Sequence, residues 1–180
     1  MVLLSKFCPD LYAESLHYIC FSHLKDMGIK GLVVDIDNTV TMWGSKEIPP
    51  ITLKWLRDAK AYGFRTCLLS NNHETRIKDI SELLNIPFAK GFKPFRSAFR
   101  SALYILGTKP NETAIIGDQL FTDILGGNQA GFYTILVKPI STTEFITTRF
   151  ARSLERTILR KLISRGLINF NHGSPCNPAE

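Results

Sequence analysis

Two carboxylates two positions apart, Asp35 and Asp37, close an apolar run at residues 31–34, and the chain later presents Ser70 and Asn71, then Lys93, then Asp118 with Asp123. In an extended strand the side chains at i and i+2 face the same side, so Asp35 and Asp37 share one small volume while Ile36 faces away. Two like charges that close repel, and a divalent cation keeps both ionised at neutral pH. Alone, this pair would suit an ordinary turn after a strand; the ordered set of later residues argues otherwise. Carboxylates in excess, with no histidine or thiolate partner, favour a hard cation with oxygen ligands, and Mg2+ fits a site that also receives a phosphate. The side chains of Asp35 and Asp118 and the backbone carbonyl of Asp37 supply three ligands. Lys93 adds positive charge against phosphate oxygens, and Ser70 with the neighbouring amides can hydrogen-bond them. Asn71 either joins that group or shapes its loop. Asp35 can then act as nucleophile and carry an aspartyl phosphate, with Asp37 protonating the leaving oxygen and later drawing a proton from water. Thr39 orients Asp37 or serves the turn, and Asp123 supports the metal or caps its helix.

These side chains need a scaffold that delivers them to one place. The run at 31–34 lacks a helical period and ends in polar residues, which suits a strand buried on both faces. Further strands are predicted at 64–69, 86–89, 113–117 and 133–137, separated by helices at 51–62, 74–84, 95–106 and 122–130. Gly63 stops the first of these helices and Pro94 can open the third. Strands alternating with helices imply an α/β fold, a doubly wound, parallel, five-stranded sheet with right-handed crossovers. Ligands bind beyond the carboxyl ends of such strands. Every polar residue singled out above falls at or soon after one of those ends. Residues 5–28 read as one or two short helices lying against a core at about 29–140, all within a single domain spanning 1–180.

The sequence has 180 residues and a formal charge of +6, a balance that favours anionic partners without naming one. No apolar run reaches the roughly eighteen residues of a membrane span, and the start lacks a full signal-peptide pattern. The chain therefore reads as cytoplasmic, or bound to a membrane surface from that side. Cys8, Cys20, Cys67 and Cys176 form no Cys-x-x-Cys pair and no zinc spacing with histidine, so free thiols are expected.

The order Asp35-Ile36-Asp37-Asn38-Thr39, Ser70-Asn71, Lys93 and Gly117-Asp118 with Asp123 resembles the four motifs of the haloacid dehalogenase superfamily of phosphatases. That resemblance implies Asp35 as nucleophile, Asp37 as acid and base, Ser70 and Lys93 on the phosphate, and Asp118 on magnesium. Many members insert a cap domain after the first motif or between the second and third; here neither gap has room for one. The chain is further similar to the capless YqeG-type phosphatases, through Ser70-Asn71-Asn72, the stretch 117–128 and the basic segment after Thr148. These look related to phosphatidylglycerophosphate phosphatases, and the relation implies dephosphorylation of a phospholipid head group.

From about 143 to 167 a basic amphipathic helix is expected. Phe150, Leu154, Ile158 and Leu162 recur every four residues, while Arg152, Arg156 and Arg160 lie on another face. It either lies in an anionic membrane interface or packs its apolar stripe on the domain. The leading expectation is thus a Mg2+-dependent phosphomonoesterase with a phospholipid substrate and a peripheral membrane site. A soluble phosphatase for a sugar phosphate, nucleotide or phosphoprotein is the alternative. A non-catalytic binding protein for RNA or a protein partner is permitted by the basic stripe. The intact set of acid, base, lysine and metal carboxylates speaks against it, and no nucleic-acid partner is expected.

Overall fold

The computed structural model describes residues 2–141, 146–168 and 170–171. In chain order the elements are α1 (Val2–Ser5), β1 (Leu11–Ala13), α2 (Phe21–Asp26), β2 (Gly31–Val34), α3 (Pro50–Ala61), β3 (Arg65–Leu68), α4 (Glu74–Leu84), α5 (Arg96–Leu106), β4 (Thr113–Gly117), α6 (Leu125–Ala130), β5 (Tyr133–Val137), α7 (Ile146–Ser164) and β6 (Phe170–Asn171). All strand pairings are parallel, in the order β3-β2-β4-β5-β1-β6.

Strand β2 is buried along its length, and its alternation divides the core. Leu32 and Val34 face a cluster with Trp55 and Leu56 of α3 and Ile77 and Ile80 of α4. Val33 faces the opposite cluster, with Ala98, Phe99 and Ala102 of α5. Helices thus cover both faces, as a continuous apolar strand requires. Val34 pairs with Leu68 on one side and Ile116 on the other, so the three central strands run out at nearly the same level. The residues beyond that level are the polar ones.

The parallel α/β class is as expected, and five strands have three residues or more, but they are not the expected five. The N-terminal segment, read as one or two short helices, also supplies β1, which adds beside β5 with Leu11 opposite Ile135. The Asp10 carboxylate accepts bonds from the Thr134 N–H and hydroxyl at 2.8 and 3.0 Å, fixing that register. The expected strand at 86–89 is reduced to a single bridge between Leu68 and Phe88. Pro87 has no N–H to offer a ladder, so pairing there stays at the edge and brief. The last helix packs on the domain through Leu162, Ile158 and Leu159, the latter two against Leu120, Ile124 and Leu136. Arg156 and Arg160 are exposed, while the side chains of Phe150 and Arg152 lie outside the described residues. No helix among the described residues is long and apolar enough to cross a membrane.

Close packing of α6 on the sheet depends on glycine. A Cβ at Gly127 would stand 2.4 Å from Ile115 Cγ2 and 2.7 Å from Thr134 Cγ2. Helix propensity alone favours alanine by about 1 kcal/mol, yet forcing a methyl group against two β-branched side chains costs about 1–3 kcal/mol. Packing wins on balance. Gly127→Ala is therefore expected to lower the melting temperature, by several degrees at the upper end of that range; a thermal melt checks it.

Candidate active site

At the carboxyl edge of the sheet the first aspartate follows β2 directly, and its backbone N–H donates to Ile116 O at 2.9 Å, locking it beside β4. Lys93 reaches the same point from the loop before α5. Its ammonium is buried and donates to Asp35 Oδ1 at 2.5 Å and Asp123 Oδ1 at 2.6 Å. Asp123 lies on a single π-helical turn, Leu120–Ile124, and its other oxygen accepts the Gln119 N–H at 3.1 Å. Gly117 makes room for it, since a Cβ there would stand 2.2 Å from Asp123 Cγ. Asp118 completes the cluster: one carboxylate oxygen from each of Asp35, Asp118 and Asp123 lies within 4.8 Å of the others, and all three residues are buried.

The electrostatics follow from this crowding. Burial pushes the Asp35 carboxyl well above its usual range; Lys93 opposes the shift, while Asp123 and Asp118 add to it. Burial alone would lower the Lys93 ammonium, but the carboxylates of Asp123 and Asp35 more than reverse that and keep it charged. Three acids thus face one lysine. A hard divalent cation with oxygen ligands suits this donor set, because it offsets the excess negative charge without demanding nitrogen or sulfur.

Asp37 sits apart from those three. Its Oδ1 accepts from Arg76 Nε at 3.1 Å and Nη2 at 2.8 Å, while Oδ2 accepts from Asn72 Nδ2 at 3.1 Å and Ser70 Oγ at 3.3 Å. The side chain expected to move protons is therefore held by four donors, and Ser70 touches it directly. Asn71 acts on the loop: its amide donates to Lys93 O at 2.9 Å and its carbonyl accepts the Lys93 N–H at 2.7 Å. It clamps the backbone that presents the lysine. Thr39 is buried, its hydroxyl without a hydrogen-bond partner in the structure. Asn38 takes a left-handed conformation, φ 62°, that asparagine tolerates well, and its side-chain oxygen accepts the Trp43 N–H at 3.3 Å. A cleft of about 140 Å³ lies beside these groups, lined in part by Ser70, Asn71, Asn72 and Phe92.

Arg76 went unread in the sequence, although a signal was there. It stands in the first turn of α4, where the helix dipole disfavours a cation. A residue placed against its local electrostatics points to a partner elsewhere, here Asp37.

Comparison with known proteins places the chain in a family. Residues 92–144 match the family model described as HAD-hydrolase-like. The chain is 39% identical over 165 residues to the Bacillus subtilis protein named probable phosphatase YqeG, covering 91% of this chain and 96% of that one. It is 31% identical over 177 residues to an Arabidopsis thaliana protein named phosphatidylglycerophosphate phosphatase 1, chloroplastic/mitochondrial; the match covers 91% of this chain and 50% of the relative, so the chain spans about half its length. Among solved structures, the Moraxella catarrhalis 3-deoxy-D-manno-octulosonate 8-phosphate phosphatase, in complex with magnesium, phosphate and KDO, shares the fold. It has a TM-score of 0.50 and 16% identity, covering 82% of this chain and 98% of that one.

Proposed function

Because the chain belongs to the HAD-type phosphatase family that includes probable phosphatase YqeG, we propose that it is a Mg2+-dependent phosphomonoesterase acting through an aspartyl phosphate, with phosphatidylglycerophosphate as substrate. The observation that carries the chemistry is the buried lysine shared between Asp35 and Asp123, with Asp118 beside them. Asp35, Asp118 and Asp123 would hold the cation, which supplies charge neutralisation for an anionic nucleophile meeting an anionic phosphoryl group. Asp35 Oδ attacks phosphorus and the ester oxygen leaves with a proton from Asp37. Water then attacks the aspartyl phosphate, gives its proton to Asp37, and frees Asp35 and inorganic phosphate. Lys93 stabilises charge on the transferring group, and Ser70 stands next to the proton carrier.

Arg76 is a positioning residue in this scheme. It fixes Asp37 through two nitrogens, a fork that lysine does not reproduce. Arg76→Ala is expected to lower kcat by about 10²-fold with little change in KM, the cost of a misplaced proton carrier. Arg76→Lys should recover part of that loss. Steady-state kinetics of both variants checks it.

The lipid substrate is supported by the plant relative, of which this chain spans about half, and by an edge of the sheet over which the described residues place no inserted fold. The test is phosphate release from phosphatidylglycerophosphate in mixed micelles, with and without Mg2+, beside a panel of soluble phosphomonoesters. Preference for the lipid that disappears with the metal supports the proposal. Better turnover of a soluble ester retains the chemistry and replaces the substrate.

A further inference from the structure

Near the site several large apolar side chains are partly exposed. Trp43 is 42% exposed and Met42 45%, and the loop that carries them is tied to the site twice: the Trp43 N–H donates to the Asn38 side chain, and Arg76 Nη2 reaches Met42 O at 3.5 Å. Ile140, also exposed, donates its N–H to Asn38 O at 2.9 Å. Phe92, which lines the cleft and immediately precedes Lys93, is exposed, and so is Phe95, at 65%, its ring centroid 6.4 Å from that of Phe92. Exposed apolar area of this kind near a charged site is costly in water and marks a surface that meets something.

The charge around it says what. With Asp35, Asp37, Asp118 and Asp123 and their cations Lys93 and Arg76 set aside, twenty basic side chains face twelve acidic ones over the rest of the sequence. Helix α7 brings Arg156 to the same edge. Glu155 Oε1 accepts the Phe121 N–H at 3.0 Å just beyond β4, while at the other end of the helix Leu167 O accepts from Cys8 Sγ ahead of β1. The helix thus runs from the carboxyl edge to the amino edge, and exposed Leu154 and Arg156 flank Glu155 at the site's level. Its remaining described apolar contacts are spent on the domain, so the helix adds charge to this edge more than apolar surface.

We propose that this surface is a membrane-docking face: Met42, Trp43, Phe92 and Phe95 enter the headgroup and upper acyl region of an anionic bilayer, Arg156 meets its phosphates, and the bilayer closes the open site. The inference rests on the lipid-phosphate reading above and gives it a direction of approach. Tryptophan and phenylalanine suit this boundary, and apolar burial together with attraction to anionic headgroups sets the affinity.

Tryptophan fluorescence tests it, since the chain has two tryptophans and Trp55 is buried on the core face of α3. The full chain is mixed with vesicles of phosphatidylcholine, with or without phosphatidylglycerol, whose acyl chains are brominated near the interface. Vesicles containing phosphatidylglycerol are expected to quench Trp43, and vesicles without it to quench little. Trp43→Phe should abolish quenching while vesicle sedimentation persists. The double variant Phe92→Ser/Phe95→Ser should weaken partitioning by roughly tenfold per ring, with Arg156→Glu weakening it independently. Thermal melts confirm that these exposed substitutions leave the fold intact. Sedimentation without quenching, no binding, or a dimer in light scattering that shields Trp43 before lipid is added overturns the proposal, the last by assigning the face to a second copy. These vesicles contain no phosphomonoester, so docking is read without turnover. The detergent-micelle assay reads turnover without a bilayer, and either result can fail alone.

Discussion

Asp35→Asn is expected to abolish turnover, by on the order of 10⁴-fold or more, while making the metal-free protein more stable. The two effects have one origin. The amide has nearly the same shape and cannot attack phosphorus, so chemistry stops. In the resting site the carboxyl is buried beside Asp118 and Asp123, and Lys93 only partly offsets the cost. The folded state therefore holds a proton on Asp35 more tightly than the unfolded chain does. Between the ordinary value of 3.8 and the raised one, the native protein binds more protons, so stability falls as pH rises through that window and the cost is fully present above it. Asparagine removes that dependence. Melting curves in chelator from pH 4 upward should decline for the parent and run flatter for the variant. A variant that is inactive and less stable at every pH would point to misfolding and defeat the argument.

Lys93→Met is expected to do the reverse to stability. Removing the cation leaves Asp35 and Asp123 facing each other in a buried site with no protein charge between them. Breaking a buried pair from one side costs about 3–5 kcal/mol, which corresponds to a fall of roughly 6–20 °C in melting temperature for a chain of this size. Saturating Mg2+ should restore part of the loss, because the cation neutralises the same carboxylates. Turnover should fall by about 10³-fold even in the refolded, metal-bound protein, as a charge aimed at the transferring group is gone. Lys93→Arg is expected to rescue poorly. The lysine is 1% exposed and bridges two acids with a single nitrogen, and a guanidinium needs more room than that.

The site was legible because its residues follow strands, and strands buried on both faces announce themselves as apolar runs with polar ends. Asp35, Ser70 and Asp118 lie where that pattern puts them, and the register of β2 with β3 and β4 accounts for their convergence; Lys93 follows only the single bridge at Phe88, and Asp123 lies on the π-helical turn beyond β4. What escaped reading was set by partners distant in sequence. Leu11–Ala13 is too short to show a period, and it is a strand because β5 offers an edge and Asp10 pins Thr134. Phe88 has a strand-like neighbourhood but pairs once, since Pro87 precedes it. Arg76 went unread because its partner, Asp37, lies 39 residues away in the chain. For Asn71 the sequence left phosphate contact and loop shaping both open, and its hydrogen bonds to the Lys93 backbone show the second.

The position of β1 also constrains how the protein is made. Asp10 and its partner Thr134 are separated by 124 residues, and β1 completes the sheet beside the strand made last among the central four. On a ribosome adding about 5–20 residues per second, the N-terminal segment waits roughly 6–25 s before its docking edge exists. During that interval the early segment has no edge to join, because β5 is still to be made and will pair with β4 on its other side. The nascent chain must keep that segment apart from other strands, a demand on synthesis that the finished, fully parallel sheet no longer displays.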